Sequence, residues 1–237
     1  MTALTDSTVL VTGANRGMGA EYVRQLLDRG VARVWAGARD PRTVTVYDPR
    51  VRAVALDVTD PASVAGVVAR TADIDVLVNN AGLALGESVL SADTSALRAE
   101  LETNLFGPLA LVSAYADRLA SRCGVVVNVA SVLSWIALGG SYGVSKAALA
   151  SATDSMRLEL APRGVQVVGV YVGYVDTDMA ATVQAPKVAP GDVVRQVLDA
   201  VEAGRSEVLA DDTARLVRSQ LHEPIDVQLE RLAAARA

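Results

Sequence analysis

The sequence has 237 residues, of which 51% are hydrophobic. Its formal net charge is −5, and acidic and basic residues are interspersed. This charge distribution argues against a nucleic-acid partner, which would require clustered positive charge. Cys123 is the single cysteine, so an intrachain disulfide and a cysteine metal cluster are excluded. His222 is the single histidine, which makes a histidine-ligated metal centre or a Ser/His/Asp triad hard to assemble. No metal is therefore predicted. No apolar run reaches the roughly 18–20 residues that span a bilayer, and the first residues lack a basic segment followed by an apolar one, which predicts a cytoplasmic protein with no membrane partner.

Short runs rich in β-branched residues alternate with helix-length amphipathic segments as far as about residue 210. The predicted strands are 7–13, 32–38, 51–58, 75–82, 124–131, 165–172 and 206–210. The predicted helices cover about 17–29, 61–71, 94–120, 141–162 and 191–203. This alternation indicates an α/β fold with a parallel sheet covered by helices on both faces, and right-handed crossovers restrict it to a doubly wound topology. Because no linker is visible, we predict one domain over residues 1–237.

Two segments depart from this alternation. Residues 40–50, DPRTVTVYDPR, contain two prolines and little helical pattern, so the connection between the second and third strands is predicted to be a turn. Residues 213–237 follow the sheet and are predicted to form one or two helices. Their apolar positions would pack against the chain itself or against a second subunit.

A glycine-rich segment, VTGANRGMGAEYV, joins the first strand to the first helix. Glycines there let the chain turn sharply and let a phosphate approach the backbone, while the exposed N–H groups and the positive end of the helix favour a pyrophosphate. The context, after a strand and before a helix, favours nucleotide binding over a structural turn. The residues of this segment predicted to bind a dinucleotide are Gly13, Asn15, Arg16, Gly17, Met18 and Gly19.

Two arginines bear on the form of the dinucleotide. Arg16 precedes the second glycine, and Arg39 is the first residue beyond the second strand. A guanidinium can hold a 2′-phosphate through two parallel hydrogen bonds, which favours NADP(H). Asp40 leaves NAD(H) possible, because its carboxylate would accept hydrogen bonds from ribose hydroxyls if it faced the ligand in place of Arg39.

Tyr142 and Lys146 stand four positions apart on a predicted helix and therefore share one face. A phenol titrates near 10, and a neighbouring ammonium stabilises the phenolate and lowers that value. Bringing the pKa near 7 requires about 4 kcal/mol, part of which an oxidised nicotinamide ring would supply. A phenol tuned in this way is a general acid for a carbonyl oxygen that receives hydride.

Two further polar residues are candidates for the same chemistry. Ser131 closes the fifth strand at the carboxyl edge, where its hydroxyl could donate to the reacting oxygen or could instead cap a turn. Asn104 lies inside a long predicted helix, although asparagine is a mediocre helix former. Holding a water molecule in a proton relay would explain its presence there.

The sequence resembles the short-chain dehydrogenase/reductase family over about residues 7–180. The features that carry the resemblance occur in this order: TGANRGMG, NNAG, NLFG, Ser131 and Tyr142-x-x-x-Lys146. The resemblance implies a seven-stranded Rossmann domain, NAD(P)-dependent carbonyl reduction or alcohol oxidation, and assembly into homodimers or homotetramers. It implies that Tyr142 is the acid/base, that Lys146 binds ribose and tunes Tyr142, that Ser131 orients the carbonyl and that Asn104 completes a relay. It also implies cofactor contacts at Asp57, Val58, Asn80, Ala81, Gly82, Gly173, Val175 and Thr177.

The sequence departs from the family pattern in two places. Tyr142 follows Ser131 by eleven positions, two fewer than is usual in that family, which shortens the loop VLSWIALGGS beside the substrate. The family's Pro-Gly after the sixth strand is Val172-Gly173 here, although Gly173, Val175 and Thr177 keep their register. The first departure weakens inference about the substrate, whereas the cofactor contact is expected to survive the second.

The residues that would line the substrate, by position, are Leu85, Ser134, Trp135, Ile136, Leu138, Tyr174 and Met179. They are mostly apolar, which predicts an uncharged or hydrophobic ketone, aldehyde or secondary alcohol as the small-molecule partner. Trp135 and Ile136 could instead serve subunit or core packing. The sequence therefore predicts an NADPH-dependent carbonyl reductase or alcohol dehydrogenase; the alternatives are a catalytically silent NADP(H)-binding regulatory protein and a dehydratase or epimerase of the same fold.

Overall fold

A single parallel sheet organises the chain in the computed structural model, which describes residues 4–234. Its strands are β1 (Thr8–Thr12), β2 (Arg33–Ala38), β3 (Val51–Ala55), β4 (Val76–Asn79), β5 (Val125–Val129), β6 (Gln166–Tyr171) and β7 (Glu207–Leu209). The strand order is β3-β2-β1-β4-β5-β6-β7, with every pair parallel. The doubly wound α/β prediction is therefore confirmed. β1 and β5 read TVLVT and VVVNV because they are buried on both faces.

Helices cover both faces of the sheet. They are α1 (Gly17–Asp28), α2 (Pro61–Arg70), α3 (Ser95–Leu101), α4 (Gly107–Ser121), α5 (Gly140–Leu160), α6 (Pro190–Glu202), α7 (Asp212–Gln220) and α8 (Ile225–Ala234). Leu26 of α1 and Val197 of α6 belong to the core on one face, whereas Leu111 of α4 and Met156 of α5 belong to the core on the other. None of the helices between residues 4 and 234 combines the length and apolarity needed to cross a membrane.

The helix predicted over 94–120 is interrupted. A π-helical turn, Glu102–Phe106, separates α3 from α4. Pro108 has no N–H to donate to the carbonyl of Asn104, and its ring crowds that carbonyl, so regular α-helix is disfavoured at this point. Gly107 lets the helix approach the end of β3 closely, since a Cβ there would lie 2.9 Å from side-chain atoms of Val58. Such π turns occur frequently at functional sites.

The two segments singled out in the sequence form as predicted. Between β2 and β3 the chain makes only a short 3₁₀ turn, Pro41–Thr43, which Asp40 caps by accepting a hydrogen bond from the N–H of Arg42. The C-terminal segment forms α7 and α8, and its last residues, 235–237, lie outside the described range. The strand order reverses between β1 and β4, and the crevice above such a switch point is where doubly wound sheets bind ligands.

Candidate active site

A cavity of about 1390 Å³ opens above the carboxyl ends of the strands. It is lined by the glycine-rich loop, by the ends of β2, β4 and β5, by the first turns of α5 and by the segment after β6. The predicted cofactor residues that line it are Gly13, Asn15, Arg16, Gly17, Met18, Gly19, Arg39, Asp57, Val58, Asn80, Ala81, Gly82, Tyr142, Lys146, Gly173, Val175 and Thr177. The fold therefore brings the whole predicted set to one crevice.

The glycine-rich loop has a conformation that other residues would not tolerate. Gly13 has a positive φ of 63°, and a Cβ on Gly19 would lie 2.0 Å from the carbonyl oxygen of Gly13. The start of α1 can therefore pack directly on the end of β1, with its N–H groups facing the cavity. The loop from Gly13 to Gly19, called the glycine-rich cradle below, fits the pyrophosphate of a dinucleotide.

Thr12 and Asn80 fix the loop to the neighbouring strand. The Thr12 hydroxyl accepts hydrogen bonds from the N–H groups of Asn80, at 3.0 Å, and Ala81, at 2.9 Å. The Asn80 side chain donates back to the main-chain oxygen of Thr12 at 2.9 Å. These bonds join β1 to β4 at the switch point, so Asn80 holds the shape of the cradle.

At the β2 end of the cavity, Arg39 is exposed and the carboxylate of Asp40 is engaged by Arg42. Arg42 donates to both Asp40 oxygens at 2.9 Å, and this pairing holds the pKa of Asp40 below its usual value. The Thr59 side chain and then its N–H lower the pKa of Asp57, with a smaller contribution from the positive charge of Arg39. Arg39 and Asp40 both line the cavity, and the carboxylate of Asp40 is paired with Arg42, whereas Arg39 forms no ion pair among residues 4–234.

Arg16 reaches across the mouth of the cavity. Its Nη1 lies 3.2 Å from Oδ2 of Asp178, in the segment after β6, and both side chains are mostly exposed. An exposed pair of this kind contributes little to stability and can exchange partners readily. Arg16 therefore remains available to an anion in the cavity.

Tyr142 and Lys146 lie together in the first turns of α5. The Lys146 Nζ is 5.7 Å from the centre of the Tyr142 ring and donates to the main-chain oxygen of Val129 at 2.8 Å. Gly140, with φ 53°, begins the helix; a Cβ there would lie 2.4 Å from the carbonyl oxygen of Glu87. The shortened loop before α5 is therefore accommodated by glycine, and it delivers both side chains to the cavity.

The expectation that Lys146 and an oxidised nicotinamide together draw the pKa of Tyr142 toward 7 stays a prediction, whereas the side chains by themselves have a raised value. Burial raises the pKa of Tyr142 to about 12, a nearby Ser131 hydroxyl partly opposes this, and the negative charge of Glu100 adds to it. Burial also lowers the pKa of Lys146 to about 8. Loss of hydration dominates both shifts, because each charged form is costly in this environment. Tyr142 is therefore a protonated phenol at neutral pH.

Ser131 forms the turn cap that was one of its two expected roles, and its position leaves the other, donation to a reacting oxygen, as a prediction. It lines the cavity beside Tyr142, and it also caps the short turn Val132–Ser134 by accepting a hydrogen bond from the N–H of Leu133 at 3.1 Å. Its own hydroxyl hydrogen is only weakly engaged, with the carbonyl oxygen of Val172 3.4 Å away. That hydrogen can therefore be redirected to an oxygen in the cavity.

Asn104 does not line the cavity, so the proton relay expected of it would have to act from beneath the cavity wall and stays a prediction. The side chain is fully buried. Its amide donates to the carbonyl oxygen of Leu83 and to Oγ of Ser145, both at 2.8 Å, and its oxygen accepts from the N–H of Leu83 at 2.9 Å. Asn104 thus fastens the segment after β4 to α5.

The predicted substrate wall is corrected at two positions. Leu85, Ile136, Leu138, Tyr174 and Met179 line the cavity, but Ser134 and Trp135 do not. The Ser134 hydroxyl donates to the main-chain oxygen of Lys146 at 2.9 Å. The Trp135 ring stacks on Tyr171 with 4.1 Å between ring centres, and the guanidinium of Arg218 lies 5.4 Å from its centre. Trp135 therefore packs against α7 and holds it in place, which is the packing role that the sequence left open for this residue.

Several lining residues escaped the sequence reasoning: Ala84, Gly86, Leu133, Val183, Ala185, Pro186 and Thr213. Thr213 comes from the start of α7, which no local pattern connects to the cavity. A further residue that was missed, Glu100, is fully buried beneath the cavity wall. The signal for Glu100 was present, because it lies one helical turn before the buried Asn104 and therefore on the same face.

Comparison with known proteins identifies relatives over most of the chain. Residues 7–187 match the family model described as short chain dehydrogenase. A cis-4-hydroxycyclohexanecarboxylate dehydrogenase from Sinomonas cyclohexanicum is 37% identical over 77% of this chain and 79% of its own. The ketoacyl reductase HetN from Nostoc sp. is 32% identical over 89% of this chain and 80% of its own. A short chain dehydrogenase from Burkholderia cenocepacia, solved in complex with NADP, is 38% identical with a TM-score of 0.93, covering 98% of this chain and 99% of that one.

Proposed function

Since the chain belongs to the short-chain dehydrogenase family and is an oxidoreductase, we propose that it is an NADPH-dependent carbonyl reductase. Its substrate would be an uncharged, hydrophobic ketone or aldehyde, and the reverse reaction would oxidise a secondary alcohol. The observation that carries the proposal is that Tyr142, Lys146 and Ser131 line one cavity together with the glycine-rich cradle.

The state of Tyr142 suits carbonyl reduction. Because burial raises its pKa to about 12, the phenol is protonated at neutral pH and is ready to donate to a carbonyl oxygen. Ser131 would orient the same oxygen, and Lys146, held by Val129, would bind ribose hydroxyls. A nicotinamide cofactor bound there would supply hydride to the carbonyl carbon, and the positive ring that results would favour the phenolate, so the same residues would also serve alcohol oxidation.

Three side chains at the β2 end of the cavity support a preference for NADP(H). Arg39 lines the cavity, while Arg42 occupies both oxygens of Asp40, the carboxylate that would otherwise favour NAD(H). A free guanidinium beside an adenosine site suits a 2′-phosphate. The similar structure from Burkholderia cenocepacia was solved with NADP.

The apolar wall supports a hydrophobic substrate. Leu85, Ile136, Leu138 and Met179 line the part of the cavity assigned to substrate, and such a wall offers no compensation for a desolvated charge. Two relatives are named for chemistry at hydroxyl or keto groups, one as a cis-4-hydroxycyclohexanecarboxylate dehydrogenase and one as a ketoacyl reductase. Both names fit carbonyl–alcohol interconversion.

Assembly into a homodimer or homotetramer is part of the proposal. Four exposed apolar side chains lie close to α4 and α5: Phe106, which ends the π-helical turn, Leu109 on α4, and Val144 and Leu158 on α5. Covering them against a second copy would remove apolar surface from water. Light scattering after size exclusion measures the mass directly, and a monomer at micromolar concentration contradicts this part.

The enzymatic proposal is tested by following NADPH and NADH oxidation with a panel of ketones, aldehydes and quinones. We expect NADPH consumption with apolar ketones and a loss of about 10²–10⁴-fold in kcat for Tyr142→Phe, with NADPH binding retained. Full turnover by Tyr142→Phe would refute the mechanism. Tight NADPH binding without consumption across the whole panel would favour the regulatory protein instead.

A further inference from the structure

Beneath the cavity wall lies a carboxylate that the chemistry described so far does not use. Glu100, on α3, is fully buried. Its Oε1 accepts hydrogen bonds from the N–H groups of Leu85, at 2.6 Å, and Gly86, at 3.0 Å. Its Oε2 is buried without a hydrogen-bond partner among residues 4–234, and no cation in that range forms an ion pair with Glu100. A buried carboxyl group with one oxygen unpartnered costs stability, so its presence calls for a functional reason.

The residues that Glu100 holds belong to the substrate wall. Leu85 and Gly86 both line the cavity, and Gly86 has a positive φ of 68°. On the opposite side, the carbonyl oxygen of Glu87 accepts a hydrogen bond from the N–H of Ser141 at 2.8 Å. The short segment 85–87 is thus fixed between α3 and the first turn of α5, next to Tyr142.

We propose that Glu100 is a positioning residue: its Oε1 fixes the wall at Leu85 and Gly86 and so keeps the site in the shape that accepts a ketone. The effect on the ketone rests on the proposed carbonyl reductase activity, whereas the hold on the two amides does not. Two substitutions test the proposal. Glu100→Gln keeps an oxygen acceptor and removes the charge, and Glu100→Met removes both at similar length. Glu159→Gln, on the exposed far end of α5, controls for the change in net charge.

The wall is tested by hydrogen exchange at the amides of Leu85 and Gly86, which requires no turnover. We expect exchange about 10-fold faster or more in Glu100→Met and within about 3-fold of the parent in Glu100→Gln. Unchanged protection in Glu100→Met overturns the positioning effect. Should Glu100→Met fail to fold, Glu100→Gln decides: exchange at these amides within about 3-fold of Glu159→Gln supports the proposal, and exchange about 10-fold faster overturns it, because an oxygen acceptor is still present.

The consequence for the substrate is tested by steady-state kinetics of carbonyl reduction. In Glu100→Met the KM for an apolar ketone should rise by about 5-fold or more, with a smaller change in kcat, because the wall at Leu85 and Gly86 loses the acceptor that holds it. Glu100→Gln keeps an acceptor and should have a KM within about 2-fold of the parent and of Glu159→Gln. A KM in Glu100→Met equal to that of the parent overturns the effect on the ketone. If the parent reduces no carbonyl, the proposed function fails, while the exchange measurement still decides the role of Glu100 in the wall.

Discussion

Lys146 donates a hydrogen bond from its Nζ to the main-chain carbonyl oxygen of Val129, 2.8 Å away, so a buried cation of α5 rests on the carboxyl end of β5. This contact orients the amine beneath Tyr142 without supplying a counter-charge. The consequence is a lysine whose pKa is lowered to about 8 by burial. Stability and catalysis should both depend on its protonation state.

The first prediction concerns the pH dependence of stability. Because the folded-state pKa of Lys146 is depressed to about 8 from 10.5, the unfolded chain binds more protons above about pH 8, and stability from this group rises with pH until about 10.5. Between about pH 7.5 and about pH 9.5 the parent should gain about 1 to 2 kcal/mol relative to Lys146→Met. Urea unfolding of both proteins at the two pH values measures this difference. Parallel stability curves would contradict a buried, neutralised lysine.

The second prediction concerns coenzyme choice. Arg39→Ala should raise KM for NADPH about 10- to 100-fold and leave KM for NADH nearly unchanged, because only NADPH carries the 2′-phosphate that the guanidinium would bind. Arg52→Ala, an exposed arginine on β3, removes the same charge away from the cavity and serves as the control. Steady-state kinetics with both coenzymes gives the ratio. Equal effects of Arg39→Ala on NADPH and NADH would speak against a phosphate contact.

The third prediction separates a structural role of Asn104 from a role in proton relay. Asn104→Ala loses three buried hydrogen bonds and should lower the unfolding free energy by about 2–4 kcal/mol, or Tm by roughly 5–10 °C. Ser145→Ala removes only one of those bonds and should cost about 1 kcal/mol. Calorimetry measures both. If Asn104→Ala loses activity at unchanged Tm, the relay is favoured over the fastening role.

The fourth prediction contrasts two neighbouring residues, Trp135 and Ile136. Trp135→Ala removes the stack on Tyr171 and the contact with Arg218, so it should lower stability by about 2–3 kcal/mol. Ile136→Ala should leave Tm within a few degrees but raise KM for an apolar ketone about 10-fold, since it lines the cavity. Thermal unfolding and ketone kinetics on the same two variants test the contrast. The reverse pattern would place Trp135, and not Ile136, against the substrate.

Much of the fold was predictable because it rests on local patterns. Each predicted strand formed, and so did each predicted helix except the one over 94–120, which is divided in two; the ends differ by a few residues, since the β-branched runs and amphipathic segments identify elements wherever they lie. The missing helix between β2 and β3 was also predictable, because two prolines in 40–50 remove the pattern. The interruption at Asn104 was not foreseen, although Gly107 and Pro108 stood in the sequence as its cause.

The site divides in a similar way. The sequence by itself determined which residues meet at the crevice, because parallel strands end at one edge and carry Gly13, Ser131 and Tyr142 with them. Only the tertiary structure decided the protonation state of the side chains and whether each one faces the cavity. Contacts between residues distant along the chain decide three features of the site. Trp135 stacks on Tyr171 and not against the cavity, the side chain of Asn104 is buried against Ser145, and burial raises the pKa of Tyr142. The physical reason is that burial and charge–charge interactions are set by neighbours in space, whereas periodicity along a chain reports only which face of an element is apolar.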